Sequence, residues 1–288
     1  MSDERLCESC HQTFPISSGR CPHCALPGLF PNVAMAELDD ERRALSGRYE
    51  AAVEDAARRG CEDNVRAFES AAARSQAVVA RSHAETSRLA HADHNLYATY
   101  HQLIESELRI PEGSKWDRLR TVADEMLFGT YKREVRFGAL AVDGVGLTHY
   151  GDCSWVLQED MIAHRASVFE ENSAMFVERR WSELGKSREL PPGYRATWPD
   201  RSKLSVAKLA GKIDRTTSPR DFQELLLRQG STPEEDAFVE VHVGGPMTVR
   251  TLERVIIERS VRRNAIGRAL RVKLEKMGVP VEGRTWTH

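Results

Sequence analysis

The chain has 288 residues, of which 41% are hydrophobic and 29% charged, and its formal net charge is −2. That length favours two or three folding units of a soluble globular protein over one large core. The near-neutral charge excludes a nucleic-acid coat held by bulk electrostatics. No apolar run approaches the ~20 residues of a membrane span, and residues 1–5 are charged with no apolar leader behind them, so a cytoplasmic location without a membrane partner is expected.

The first motif is Cys7-Glu8-Ser9-Cys10, ten further residues, then Cys21-Pro22-His23-Cys24. Two residues between paired cysteines let both thiolates of a tight turn reach one ion, and two such turns complete a tetrahedron. Four soft donors favour zinc, and the closed set makes the site structural. A zinc ribbon over 1–28 is expected, folded by its metal because it is too short for a core. A redox dithiol pair or a disulfide is the alternative. Ribbons of this kind resemble modules that bind nucleic acid or protein. Cys61 and Cys153 stand alone and read as small apolar residues.

Residues 26–33 carry Pro27, Gly28 and Pro31 and read as a linker. Residues 34–128 are rich in alanine, glutamate and arginine and read as a helical bundle or long helical hairpin. Leu38, Leu45, Tyr49, Val53 and Ala56 share one helical face, and Val65, Phe68, Ala72 and Val79 another. Gly60 interrupts the helix. A third apolar series runs from Leu96 to Leu108 and ends at Pro111 and Gly113, and a fourth runs Leu119, Val122, Ala123, Leu127. His83, His91, His94 and His101 along this region suit solvated polar positions better than ligands.

From 129 to 288 the pattern becomes α+β. Strands are expected at 135–142, 153–157, 165–169, 238–243 and 252–257, and helices within 198–213 and 219–229. Three segments stand out: Arg136-Phe137-Gly138-Ala139-Leu140, Tyr150-Gly151-Asp152-Cys153, and Arg165-Ala166-Ser167-Val168-Phe169 closing on Asn172-Ser173. Further on comes Val239-Glu240-Val241-His242-Val243-Gly244-Gly245-Pro246.

These segments, over roughly 134–258, resemble an uncharacterised bacterial family with an aromatic-Gly-Ala-Leu segment, a Tyr-Gly-x-Cys strand, an arginine strand ending in a polar turn, and a glutamate strand followed by Gly-Pro. The last strand also resembles the terminal strands of ADP-ribosyltransferases, including toxins that modify DNA: a glutamate opens a strand, a turn follows, and another strand runs back. The resemblance implies a small transferase-like sheet and NAD as the ADP-ribose donor. Glu240 takes the catalytic place. Arg136 and Arg165 are candidates for the pyrophosphate and Tyr150 for stacking on nicotinamide, and Asn172 and Ser173 belong to the cofactor side.

The chemistry suits those residue types. Cleaving the nicotinamide–ribose bond passes through an oxocarbenium-like sugar, which a carboxylate stabilises. Phe238 stands where arginine-modifying transferases carry Glu or Gln, so arginine is not the expected acceptor. The sequence has no His-Gly-Thr strand and no Ser-Thr-Ser strand. Each residue also has a plainer reading: Glu240 facing water on an edge strand, the arginines in surface pairs, Tyr150 anchoring a turn, Asn172-Ser173 capping a helix. The transferase reading requires Glu240, Tyr150 and an arginine to share one cleft.

Residues 250–276 hold nine basic residues against three acidic ones. Ile266, Leu270, Leu274 and Met277 recur at helical spacing, giving a basic amphipathic helix with Arg262, Arg263 and Arg271 as candidate phosphate contacts. The leading expectation is an NAD-dependent ADP-ribosyltransferase, or an NAD hydrolase with the same site, whose acceptor is open and includes nucleic acid. The alternative is a non-enzymatic zinc-ribbon scaffold that binds nucleic acid or protein and carries an inactive transferase-like domain.

Overall fold

The computed structural model describes residues 4–7, 9–15, 18, 20–26, 28–105, 115–184, 190–258 and 264–284, in a mixed α and β structure. At the N-terminus β1 (Glu4–Leu6) and β2 (Thr13–Pro15) form an antiparallel hairpin. Phe14 packs against Cys7 and Cys21, with the Arg5 guanidinium over its ring. A hairpin this short buries too little apolar surface to stand by itself.

The expected linker is partly built into the body. Pro31 opens a short helix, Pro31–Ala36, at the position where its missing N–H costs nothing. Asn32 on that helix is buried, and its Nδ2 donates to the carbonyls of Arg165 and His242 and to Ser167 Oγ. The helices Asp39–Arg59 and Glu62–Ala73 then bury Leu45, Ala56, Val65, Phe68 and Ala72. Gly60 separates them at φ 68°, a left-handed cap open to glycine, and its N–H bonds the Ala57 carbonyl.

The expected helical bundle over 34–128 does not continue past this point. Gln76–Arg81 is a strand, β3, and Val79 belongs to a sheet rather than to the helical face of Val65 and Phe68. Residues 77–80 are buried on both sides of the sheet, and such a run carries no alternation to distinguish strand from helix. Shorter helices His83–Leu89 and Tyr100–Glu105 follow, then Lys115–Phe128. Leu96 is exposed. Leu108, Pro111 and Gly113 lie outside the described residues.

The remaining strands are β4 (Val135–Ala141), β5 (Cys153–Leu157), β6 (Ala166–Phe169), β7 (Arg195–Thr197), β8 (Leu227–Arg228), β9 (Ala237–Phe238), β10 (Glu240–Gly244), β11 (Leu252–Glu258) and β12 (Val281–Arg284). β8 and β9 form a small hairpin. The others join β3 in one eight-stranded sheet of order β12-β11-β5-β3-β4-β10-β6-β7. Every neighbouring pair is antiparallel except β11–β12. The sheet is therefore larger than expected, and the strand after Glu240 does not run back beside it. β4, β3 and β5 separate β10 from β11.

One face of the sheet carries Ala77, Val79, Trp155, Val168, Val241, Val243 and Val255, packed under Asp39–Arg59, Glu62–Ala73, Arg201–Leu209 and Ala265–Lys276. The fully buried Trp155 donates from Nε1 to Thr86 Oγ1 at 2.9 Å, so its polar edge is satisfied. The opposite face carries Val78, Ala139 and Val156 in the middle, and Val135 and Phe169 beneath Lys115–Phe128 and Ser173–Leu184. Between these two patches the second face is open, and the candidate site lies there.

The tail departs from its expected face. Gly267, Leu270 and Leu274 are buried, whereas Ile266 is 65% exposed. Arg271 pairs with Glu275 one turn on, and Arg262 and Arg263 lie outside the described residues.

Candidate functional site

Strand parity positions the central carboxylate. On β10, Val241 and Val243 point to the helix-covered face, so Glu240 and His242 point to the other. Glu240 stands opposite Ala139 on β4 and Phe169 on β6. It is 2% exposed on an interior strand, which rules out the solvent-facing edge position. It borders a solvent-open cavity whose other walls include Val78, Arg120, Phe137, Tyr150, Asn172 and Phe238.

The carboxylate is held on two sides. Glu240 Oε2 accepts from Ser173 N at 3.0 Å and faces His242 Nε2 at 2.9 Å. Among the described residues Oε1 meets only a looser contact, Arg120 NH1 at 3.4 Å. Burial by itself would raise this carboxyl. The Arg120 charge, the His242 contact and the Ser173 N–H outweigh it and hold the group at about 2. Glu240 is therefore an anion throughout the neutral range, with Oε1 its less committed oxygen.

Arg120 reaches the site from Lys115–Phe128. Its NH1 also donates to Ser173 Oγ at 3.0 Å, and its guanidinium lies 3.9 Å from the Phe137 ring centroid. Asp124, one turn on, is fully buried and bonds His101 Nε2 at 2.9 Å. His242 is wedged among Phe128, Phe137 and Phe169, which fixes its ring and hence the direction of its Nε2. Buried ion pairs are poor stabilisers, because desolvation offsets most of the Coulomb gain. A buried carboxylate paired with a partly buried arginine on a cavity wall therefore calls for another reason to be there.

Tyr150 stands at the cavity mouth in a short turn, Thr148–Tyr150, and is 41% exposed. Burial of its hydroxyl first, and the Asp236 carboxylate second, push the phenol up to about 12, so it remains a neutral donor. Asn172 lines the cavity and also caps the next helix, its Oδ1 accepting from the N–H groups of Ala174 and Met175. Ser173 holds the carboxylate through its N–H and the arginine through its hydroxyl.

The two arginines expected at the pyrophosphate are elsewhere. Arg136 pairs in register with Val243, so it projects to the opposite face from Glu240. Its guanidinium donates to the carbonyls of Tyr97, Glu134 and Gly245. Arg165 donates to the carbonyls of Met161, Gly244 and Pro246. Neither is paired with a surface carboxylate alone, as the plainer sequence reading had it. Both are buried and spend their donors on backbone carbonyls, each reaching the turn that follows β10. Burial pulls each below the usual arginine value.

Arg120 and His242 were not among the expected residues. His242 had a signal, since a residue two positions along a strand shares the face of Glu240. Arg120 had none, because it lies 120 residues away in sequence.

The second chemical centre is the ribbon. Sγ atoms of Cys7, Cys10, Cys21 and Cys24 lie within 4.8 Å of one another, close enough to bind a metal ion. Two of the separations, Cys7–Cys24 and Cys10–Cys21, are 3.5 Å, near the ~3.8 Å edge of a tetrahedron with ~2.3 Å metal–sulfur bonds. The two knuckles repeat one geometry. His11 (φ 54°) and Ala25 (φ 59°) each follow a second cysteine in left-handed conformation. Their N–H groups bond back to the carbonyls of Cys7 and Cys21.

Among the described helices none is long and apolar enough to cross a membrane. No protein-family model matches the chain, and no curated protein matches it.

Proposed function

We propose that the chain transfers ADP-ribose from NAD, with Glu240 as the catalytic carboxylate and the cavity beside it as the nicotinamide-ribose site. The observation that carries this is the placement of a buried, ionised Glu240 in the wall of a cavity that also holds Tyr150 and Arg120. The resemblance over 134–258 supports the choice of NAD. In the reaction the bond from ribose C1′ to nicotinamide nitrogen breaks, and its electron pair leaves with nicotinamide. Glu240 Oε1 faces the sugar and stabilises the positive charge that develops there. His242 and Ser173 N–H hold the other oxygen and so fix the direction of the carboxylate. Arg120 replaces Arg136 and Arg165 as the cation on the cofactor side, where its donors suit a diphosphate. Tyr150 offers a ring to nicotinamide. The acceptor then bonds to C1′ and gives up a proton.

Zinc in the four-cysteine site is part of the same proposal. Four thiolates leave no open position, so the ion folds the ribbon and performs no chemistry on NAD. The ribbon then serves as the acceptor-binding module, with nucleic acid the class favoured by the likeness to DNA-modifying toxins.

The test is transfer of label from NAD carrying a radioactive adenylate into a cell lysate. Wild type should label material that survives protease and is lost to nuclease, and Glu240→Gln should not. Label that survives nuclease and is lost to protease would move the acceptor to protein. No incorporation, with NAD intact in every lysate, would remove the transferase reading and leave the scaffold.

A further inference from the structure

Outside the cavity lining lies a second group of metal-ligand side chains. His83, Asp152 and Cys153 each bring one ligand atom within 4.8 Å of the other two. They come from two places that the sheet forces together. Cys153 opens β5 and pairs with Arg81, the last residue of β3, and His83 starts the helix two residues beyond Arg81. A capping box between Ser82 and Glu85 fixes that helix start. Gly151 lets the turn before β5 close onto it. Its φ is 142°, and a Cβ there would come within 2.1 Å of the Arg81 carbonyl carbon. Asp152 is thereby set against His83, with Oδ2 2.6 Å from Nδ1.

That contact uses one atom of each residue. The second atom of each, His83 Nε2 and Asp152 Oδ1, is buried without a hydrogen-bond partner. An unsatisfied buried polar atom is costly, and two on one pair mark coordinating capacity that the protein groups alone do not use. Cys153 is fully buried beside them, a third donor of a different kind. Asp152 retains 41% of its side-chain exposure, so the cluster has an approach from solvent and room for a fourth ligand.

We propose that His83, Asp152 and Cys153 form a second metal site that takes a zinc-class divalent ion. One thiolate, one imidazole and one carboxylate make a borderline donor set that suits zinc over calcium or magnesium. On binding, the thiol proton of Cys153 passes to solvent, and the thiolate, a neutral imidazole nitrogen and a carboxylate oxygen coordinate the ion with water in the fourth place. The ion pins the turn that carries Tyr150 to the corner between β3 and the following helix. It does not depend on the NAD reading, since none of the three ligands lines the cavity.

The experiment counts metal in the full chain. Purified wild type, saturated with zinc and dialysed to constant composition, should hold two equivalents by elemental analysis. Cys153→Ala should hold one, and so should the double variant Cys7→Ser/Cys10→Ser. With cobalt in place of zinc, that double variant should keep tetrahedral visible bands with the weaker thiolate absorption of a single sulfur ligand. Should Cys153→Ala fail to fold, Asp152→Asn at the exposed side of the cluster carries the same count. One equivalent in wild type, or two that persist in both Cys153→Ala and Asp152→Asn, would overturn the site.

Discussion

The two ends of β10 meet arginines in opposite circumstances. At its last residues, Arg136 and Arg165 are wrapped by the turn over Gly244, Gly245 and Pro246, and they donate to backbone carbonyls. At its first residue, Glu240 meets Arg120 on a cavity wall, and the shared contact is a loose 3.4 Å. The first pair completes the structure: each guanidinium supplies donors to backbone carbonyls at or near that turn. The second pair leaves capacity over, in Glu240 Oε1 and in the rest of the Arg120 fork. Sequence likeness placed Arg136 and Arg165 beside Glu240 because it carries residue types and no faces. Parity of β4 against β10 is what turns Arg136 away from the cavity.

That contrast can be broken from either side. The largest effect is expected at the closed end. Arg165→Met leaves the carbonyls of Met161, Gly244 and Pro246 without this donor. At ~1–3 kcal/mol per abandoned buried group the variant should lose on the order of 3 kcal/mol in urea unfolding, by way of stability alone. A loss under about 1 kcal/mol would mean that the turn does not need its arginine.

At the open end, Tyr150→Ala should slow nicotinamide release about tenfold, which corresponds to ~1.4 kcal/mol of transition-state binding, while the unfolding midpoint stays put. A residue 41% exposed has little packing to lose. An unchanged rate would take Tyr150 out of the site.

Acid unfolding sharpens the comparison further. The folded Glu240 carboxyl sits at about 2, below its ordinary 4.5. A depressed acid contributes stability that is fully present above the unfolded value and is lost as pH falls toward the folded one. The stability gap between wild type and Glu240→Gln should therefore narrow between about pH 5 and pH 2. A gap that is constant over that range would show that the carboxylate is not held by Arg120 and His242.

The smallest effect on the sheet is expected from disabling the four-cysteine site. The double variant Cys7→Ser/Cys10→Ser should unfold the hairpin of β1 and β2 and leave the thermal transition of the eight-stranded sheet in place. Collapse of both together would show that the ribbon and the sheet fold as one unit.

How much of this was legible depended on range. The paired cysteines, the break at Gly60, and strands β4, β5, β6 and β11 are local patterns, and the structure places them where the sequence does. β3 was hidden because residues 77–80 are apolar on both faces and follow two true helices. Asn32 looked like part of a spacer, because its partners Arg165, Ser167 and His242 are far along the chain. The site divides the same way. Glu240 and Tyr150 carried local signals. Arg120 is brought in by the packing of Lys115–Phe128 over the sheet, and no spacing rule reaches that far.

The most direct measurement of the central claim is the rate of nicotinamide release from NAD, read by chromatography for wild type and Glu240→Gln at equal folded concentration with lysate as acceptor. Release by wild type that drops by about 100-fold or more in the variant is the expected result, in line with loss of one transition-state electrostatic partner. Equal rates in the two proteins, or no release by either, would contradict the assignment of Glu240 as the catalytic carboxylate.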